Sequence, residues 1–255
     1  MQLPAVSLLL LAAALSASAR APETQKCEGN FNIKNDDDFA KIIPCSEIKG
    51  KVFIDHTKLT EADLPNLQTL DGCIKVISNA ELETLALPRI TTITGVVEIS
   101  NNPQLSTIDF NGLQVLGKSL TLTANPSVSS PNFPELSSVG ENVLVAGETK
   151  ATNFNYLPAL QWVGKTMDIR GPFDTISLNS TLKAKNMVLV SSSKLGCVEI
   201  TKNWTPMVED KLKCFEKADK AHLAAGSKLP NGAITFQASP GVIAASVMLV
   251  AYLAL

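Results

Sequence analysis

The stretch LPRITTITGVVEISNN (87–102) recurs along the chain, and this recurrence decides the fold. Similar stretches are LPNLQTLDGCIKVISN (64–79), FNGLQVLGKSLTLTAN (110–125), FPELSSVGENVLVAG (133–147) and LPALQWVGKTMDIRG (157–171). Their second residues follow one another at steps of 23, 23, 23 and 24 residues. Partial copies at 48–57 and 182–192 extend the array at both ends. A fixed period of this length predicts a solenoid, in which stacked coils share one core.

Each repeat ends in a short run in which apolar residues occupy every second position. These apolar residues are Val97 and Ile99, Leu120 and Leu122, Val143 and Val145, and Met167 and Ile169. Alternation with period two predicts a strand with one buried face. The intervening residues are then expected in one outward row, formed by Glu98, Thr121, Leu144 and Asp168. The residues expected to turn the chain after each strand are Asn79, Asn101, Asn125, Gly147 and Gly171.

Two solenoid classes fit a period near 23 residues, the β-helix and the leucine-rich horseshoe. A second apolar pair follows the strand in each repeat, as in ELETLALP (81–88) and QLSTIDF (104–110). A second strand-like segment in each coil favours the β-helix. We therefore predict an all-β fold, a parallel β-helix, with strands near 52–54, 74–77, 97–99, 120–122, 143–145, 167–169 and 187–189.

Five cysteines predict how the two ends of the solenoid are closed. Pairing neighbours joins Cys27 with Cys45 and Cys197 with Cys214, and leaves Cys73 as a lone thiol in the solenoid wall. The segment between the first pair contains the acidic run 36–38, which suits the start of a short capping helix. We predict no metal site, because no C-x-x-C motif occurs and the chain has 2 histidines.

Both termini carry apolar segments that predict export and anchoring. Residues 1–19 resemble a signal peptide with the cleavage pattern A-x-A. The tail 242–255 has 14 residues, fewer than the ~20 of a spanning helix, and no basic residue follows it. Small residues, a spacer and an apolar tail predict a glycosylphosphatidylinositol (GPI) anchor at Asn231, with Gly226 as second choice. The alternative is an apolar C-terminal helix that packs on the domain.

These features divide the chain into a signal peptide (1–19), a solenoid domain (20–216), a linker (217–231) and a GPI propeptide (232–255). Two sequons predict N-glycosylation at Asn179 and Asn203, whereas Pro126 excludes Asn125. The formal net charge is -2 and no basic stripe occurs, so we do not expect a nucleic-acid partner.

Catalysis is a candidate function because some β-helices cleave polysaccharides with two carboxylates about 5–10 Å apart. The outward carboxylates Asp55, Glu98 and Asp168 lie on different coils, at least two coils apart. Solvated charges are the simpler interpretation, with Lys75 beside Glu98 as a lateral ion pair. We predict no catalytic residue and no cofactor.

The opening C-x-x-x-F-x-I-x-x-x-x-D-F-x-x-I-x-x-C-S-x-I-x-G-x-V-x-I (27–54) resembles the start of a receptor L domain. Together with the repeats, the closing cysteines and the tail, residues 27–216 resemble the fungal GPI-anchored cell-wall organisation proteins that carry this domain. The resemblance implies a right-handed β-helix and a non-enzymatic extracellular surface protein. Its implied partners are the membrane, through the lipid, and wall polysaccharide or a surface protein. The alternatives are a ligand-binding receptor ectodomain and a wall-glycan-processing enzyme.

Overall fold

The computed structural model describes residues 25–147, 150–225, 227–228 and 234–237. The strands are β1 (Gln25–Glu28), β2 (Phe31–Ile33), β3 (Cys45–Lys49), β4 (Val52–Asp55), β5 (Glu61–Asp63), β6 (Thr69–Asp71), β7 (Ile74–Ile77), β8 (Thr84–Ala86), β9 (Thr92–Ile93), β10 (Val97–Ser100), β11 (Thr107–Asp109), β12 (Val115–Leu116), β13 (Leu120–Thr123), β14 (Ser138–Val139), β15 (Val143–Ala146), β16 (Asn153–Phe154), β17 (Trp162–Gly171), β18 (Thr175–Ile176), β19 (Lys183–Ser191), β20 (Val208–Phe215) and β21 (Ile234–Gln237). The α-helices are α1 (Asp36–Ala40) and α2 (Cys197–Trp204), and 3₁₀ turns span Thr205–Met207 and Lys220–His222.

The strands stack in parallel into a β-solenoid whose coils have three faces. Face A consists of β2, β4, β7, β10, β13 and β15, continued by the second halves of β17, β19 and β20. Face B consists of β5, β8 and β11, followed by the separate pair β16 and β18. Face C consists of β1, β3, β6, β9, β12 and β14, continued by the first halves of β17 and β19. The predicted parallel β-solenoid is confirmed, and face C is a third strand per coil that the repeat analysis did not assign.

The register of face A agrees with the predicted alternation. Val97 lies beside Ile74 and Leu120, and the alignment continues through Val143 to Met167. All these side chains are buried, and Leu122 is 5% exposed. Glu98 and Thr121 occupy the outward row together with Leu144 and Asp168, as predicted. The inward rows of the three faces form one continuous core.

The turns after the face A strands agree with the prediction at Asn101 and Gly147 and differ from it at the other predicted turn residues. Positive φ angles occur at His56, Ser78, Asn101, Ala124 and Gly147, so Asn79 and Asn125 are not the left-handed residues, and Gly171 has no positive φ. Asn79 and Asn125 instead belong to a buried ladder with Thr57 and Asn102. Each side-chain oxygen in this asparagine ladder accepts hydrogen bonds from the previous coil, so the buried polar groups are satisfied.

Glycines mark the corner between faces C and A. Their backbones approach the preceding coil so closely that an added Cβ atom would overlap a carbonyl oxygen of that coil. This glycine column contains Gly50, Gly72, Gly95, Gly117, Gly140 and Gly164. Only glycine permits such an approach between two backbones.

Both ends of the solenoid carry the predicted caps. Disulfides join Cys27 to Cys45 and Cys197 to Cys214, while Cys73 is free and half-buried. At the N-terminal end, the Asn35 side chain caps α1 by accepting a hydrogen bond from the Asp38 amide (2.9 Å). At the C-terminal end, α2 begins at Cys197, a helix that the sequence analysis did not predict.

The segment after β20, predicted to be a linker, packs on the solenoid in its described part. Ala218 and Leu223 are buried against Val190 and Phe215 on the outer side of face A. β21, which falls within the predicted propeptide, pairs antiparallel with β20. The predicted signal peptide, the attachment residues Asn231 and Gly226 and the tail 242–255 lie outside the described residues. Among the described residues, no helix combines the length and hydrophobicity that crossing a bilayer requires.

Candidate binding face

Face C presents an exposed tryptophan in a row of uncharged residues. The strand register aligns one outward residue from each of five coils, and we call this set the Trp162 row: Thr69, Thr92, Val115, Ser138 and Trp162. Trp162 is 44% exposed and Val115 is 42% exposed. A large apolar side chain held outward on a regular sheet is available to a ligand, because it is not needed in the core.

A second polar row runs directly beside the Trp162 row. This glutamine row consists of Gln68, Thr91, Gln114, Ser137 and Gln161. Each backbone N–H donates to the carbonyl of the residue one coil earlier, at 2.8–3.0 Å from Thr91 onwards, which holds the row in line. The side-chain amides of Gln68, Gln114 and Gln161 have no hydrogen-bond partner within the described part of the chain. They therefore offer donors and acceptors at every second coil, about 10 Å apart.

The indole of Trp162 lies over the corner formed by the glycine column. Its Nε1 atom is 3.6 Å from the position that a Cβ on Gly164 would take. The indole N–H has no hydrogen-bond partner among the residues that the structure describes. Trp162 thus combines an apolar surface with a free hydrogen-bond donor, which is how tryptophan serves at binding surfaces.

Several of the charges beside the two rows are engaged. Lys165 pairs with Glu141 (3.4 Å), and the Lys183 ammonium donates to the Pro206 carbonyl (2.8 Å). At the N-terminal end of face C, the hydrogen bond from Lys26 lowers the pKa of Glu47 below its usual value. The rows between these charges are electrically neutral, so they suit an uncharged ligand.

The outward carboxylates of face A are occupied by ion pairs. Lys75 contacts Glu98 at 2.7 Å, as predicted, and Arg170 contacts Asp168 at 2.7 Å. Glu98 and Asp168 lie three coils apart, or about 14 Å along the stack, which exceeds the spacing of glycosidase carboxylates. Asp55 lies in a different row, beside Ile77. Among the described residues, no group of three or more His, Cys, Asp or Glu side chains could hold a metal ion.

The two sequons have different local structures. The Asn179 side-chain oxygen accepts hydrogen bonds from the Thr181 amide (3.0 Å) and hydroxyl (2.8 Å). Asn203 is exposed on α2, and the hydroxyl of Thr205 donates instead to the Thr201 carbonyl. Both asparagines are at least partly accessible, and their glycosylation stays a prediction.

Comparisons with known proteins give no match from which a function could be inferred. The chain matches no protein-family model, no curated protein and no solved structure. Trp162 was not among the predicted site residues, although the sequence contains a signal for it. In the aligned repeats Trp162 occupies the position of Thr69, Thr92 and Ser138, where small polar residues indicate an outward side chain.

Proposed function

We propose that the protein is a GPI-anchored extracellular glycoprotein that acts in cell-wall organisation by binding polysaccharide on face C. The observation that carries the binding role is the exposure of Trp162 within a neutral, regularly spaced polar surface. Sugar rings present apolar C–H faces and a rim of hydroxyl groups. An exposed indole beside amide and hydroxyl side chains complements both parts.

The regular recurrence of outward side chains along face C favours a polymeric ligand. The coils stack at about 4.8 Å, so chemically similar side chains recur along the sheet at the scale of one sugar unit. A single sugar would contact only part of the Trp162 row, whereas an extended chain could contact several coils. Weak contacts repeated along such a chain add to a useful affinity.

The caps support an extracellular role. Two disulfides close both ends of the solenoid, and such cross-links persist in oxidising compartments. With the signal peptide and tail predicted from the sequence, they favour display at the cell surface. Release of the protein from intact cells by a phosphatidylinositol-specific phospholipase tests the anchor.

The binding role is tested by sedimentation of the mature protein with insoluble β-glucan, chitin and cellulose. We expect one of these polymers to retain the wild-type protein, and Trp162→Ala to reduce retention at least about tenfold, as loss of an aromatic anchor does. The control is Val198→Ala, which removes another exposed apolar side chain, 62% exposed, from the C-terminal cap.

Three results would contradict polysaccharide binding on face C. Retention that is equal in Trp162→Ala and wild type would place the ligand elsewhere. Release of soluble sugars would indicate the glycan-processing enzyme instead. Absence of retention on every polymer would favour the receptor-type alternative with a protein ligand.

A further inference from the structure

The charges are distributed unequally along the solenoid axis. Residues 25–182 contain 12 Lys or Arg and 18 Asp or Glu, a formal net charge of -6. Residues 183–228 contain 9 Lys and 5 Asp or Glu, a formal net charge of +4. The basic part comprises the last strands of the solenoid, its cap and the packed segment, so one end of the molecule is positive. An end with a charge excess of this kind favours an anionic partner.

Five lysines concentrate this charge near the outer side of face A at its C-terminal end. Lys211 and Lys213 project outward from β20, because Leu212 and Cys214 point into the core. Lys217 and Lys220 are exposed on the segment that packs over the same side, and Lys228 follows it. We call Lys211, Lys213, Lys217, Lys220 and Lys228 the anchor-proximal basic surface.

Residues 208–228 also contain four carboxylates, two of which are engaged elsewhere, Asp210 by Lys185 (3.8 Å) and Glu216 by backbone amides. Glu216 accepts hydrogen bonds from the amides of Gly196 (2.7 Å) and Cys197 (3.3 Å), so its charge serves the start of α2. Within the described ranges, Lys211, Lys213 and Lys217 form no ion pair. Their ammonium groups are therefore available to an external anion.

The proposed attachment residue follows this surface closely in the chain, and β21, which pairs with β20, belongs to the segment that GPI attachment at Asn231 would remove. Arg170 holds Ser227 against face A through the Ser227 carbonyl (3.0 Å) and hydroxyl (2.9 Å). Two residues, Leu229 and Pro230, then separate Lys228 from the proposed attachment residue Asn231. The three residue-to-residue steps from Lys228 to Asn231 span at most about 10 Å, so a lipid at Asn231 would hold the basic end close to the bilayer.

We infer that the anchor-proximal basic surface docks on the anionic phosphate headgroups of the membrane to which the protein is tethered. This inference rests on the proposed GPI anchor. Each basic residue near an anionic bilayer adds attraction, so several together with one lipid tether fix an orientation. In that orientation the basic end faces the lipid and the acidic body extends away from it.

The test is vesicle flotation of the mature protein, released from cells by phospholipase or recovered from the medium. The probes are vesicles of phosphatidylcholine alone and vesicles of equal parts phosphatidylcholine and phosphatidylinositol. We expect binding only to the anionic vesicles, with loss as salt rises. The triple variant Lys211→Glu/Lys213→Glu/Lys217→Glu should lower binding at least about tenfold. Lys51→Glu/Lys58→Glu/Lys118→Glu is the control, because it changes the net charge equally at exposed sites on other coils.

Two results would overturn the inference. Equal binding to neutral and anionic vesicles would show that charge is not the cause, and equal loss in both triple variants would show that no particular surface is involved. The protein used for flotation carries no intact lipid. The result therefore does not depend on the phospholipase test of the GPI anchor. Protein that resists phospholipase release contradicts the anchor alone.

Discussion

Asn79 donates two hydrogen bonds to the same oxygen of Asn102 in the next coil, one from its backbone N–H (3.0 Å) and one from its side-chain amide (3.0 Å). Asn102 repeats this arrangement with Asn125 at 3.1 Å for both bonds. The asparagine ladder thus ties consecutive coils at the end of face A, where strand pairing stops. Its members are buried, so each bond replaces one that water would otherwise make.

Replacing Asn102 by Ala should destabilise the protein by about 2–4 kcal/mol, because two buried donors of Asn79 lose their acceptor. The neighbouring variant Asn101→Gly is the control. Asn101 is exposed with φ at 57°, a conformation that glycine adopts without strain. The urea unfolding midpoint of Asn102→Ala is compared with that of Asn101→Gly. Equal midpoints in the two variants would show that the ladder does not contribute to stability.

Gly140→Ala should destabilise the protein by about 3 kcal/mol or more. The added methyl group would overlap the carbonyl oxygen of Gly117 and lie 2.9 Å from its carbon. Both glycines lie between strands, and their N–H groups donate to carbonyls of the preceding coil, Gly117 to Ile93 (2.8 Å) and Gly140 to Leu116 (2.9 Å), so neither can move freely. Gly29→Ala is an informative contrast, since Gly29 has φ at 111° but open space around its Cβ position. The melting temperature of Gly140→Ala should be lower than that of Gly29→Ala. The reverse order would contradict close stacking of the coils at this corner.

The sequence predicted those parts of the fold that repeat. The inner pairs such as Val97 and Ile99 recur at one period, and burial of an apolar row follows from that regularity. The turn residue was predicted correctly at Asn101 but one residue late at Asn79 and Asn125, where Ser78 and Ala124 have the positive φ. Asn101 and Asn102 are adjacent and identical, so only the backbone angle of the first and the burial of the second separate their roles.

Features that occur once were harder to predict. The segment around Leu223 contains Lys and Ala residues typical of a linker, yet it covers Val190 and Phe215. Its end at Ser227 is hydrogen-bonded to Arg170, which is distant in sequence. Trp162 is the one large aromatic residue at its position of the aligned repeats, and residue type alone does not show on which side of the sheet it lies. The position that it shares with Ser138 carried this information.

Leu122→Asp should be among the most damaging substitutions on face A, at about 4 kcal/mol or more, because it places a charge in the inner row. Thr123→Asp is a matched control on the same strand. Thr123 faces outward between Ser100 and Ala146, neither of which is charged. Secretion yield and circular dichroism should show loss of folded protein only for Leu122→Asp. Equal loss in both variants would argue against the register.

The double variant Cys27→Ser/Cys45→Ser should lose about 3 kcal/mol of unfolding free energy, because the bridge closes a loop of 18 residues in the unfolded chain. Cys73→Ser should have little effect, because Cys73 is free and only half-buried. Peptide mapping without reduction should recover Cys197 linked to Cys214 in all these variants. A major peptide that links Cys73 to another cysteine would contradict the pairing.

Arg170 contacts both the solenoid wall and the packed C-terminal segment. Its side chain is 7% exposed and makes a two-point contact with Asp168, from Nε (2.8 Å) and Nη2 (2.7 Å). The remaining nitrogen, Nη1, donates to the carbonyl (3.0 Å) and hydroxyl (2.9 Å) of Ser227. Arg170 therefore joins the solenoid wall to the chain beyond β20, and its five N–H donors suit this double task.

Arg170→Met should release this segment without unfolding the solenoid. The cost should be about 2–3 kcal/mol, below that of a fully buried pair, because Asp168 keeps some contact with water. Trypsin should then cleave rapidly after Lys217 and Lys220, and the Ala218 amide, which donates to the Ser191 carbonyl (2.8 Å), should exchange faster with deuterium. Arg170→Lys should give an intermediate rate, because lysine keeps the charge but not the planar fork. The exposed Arg89→Met is the control. Cleavage that is unchanged in Arg170→Met would show that the packing of Leu223, rather than the arginine, holds the segment in place.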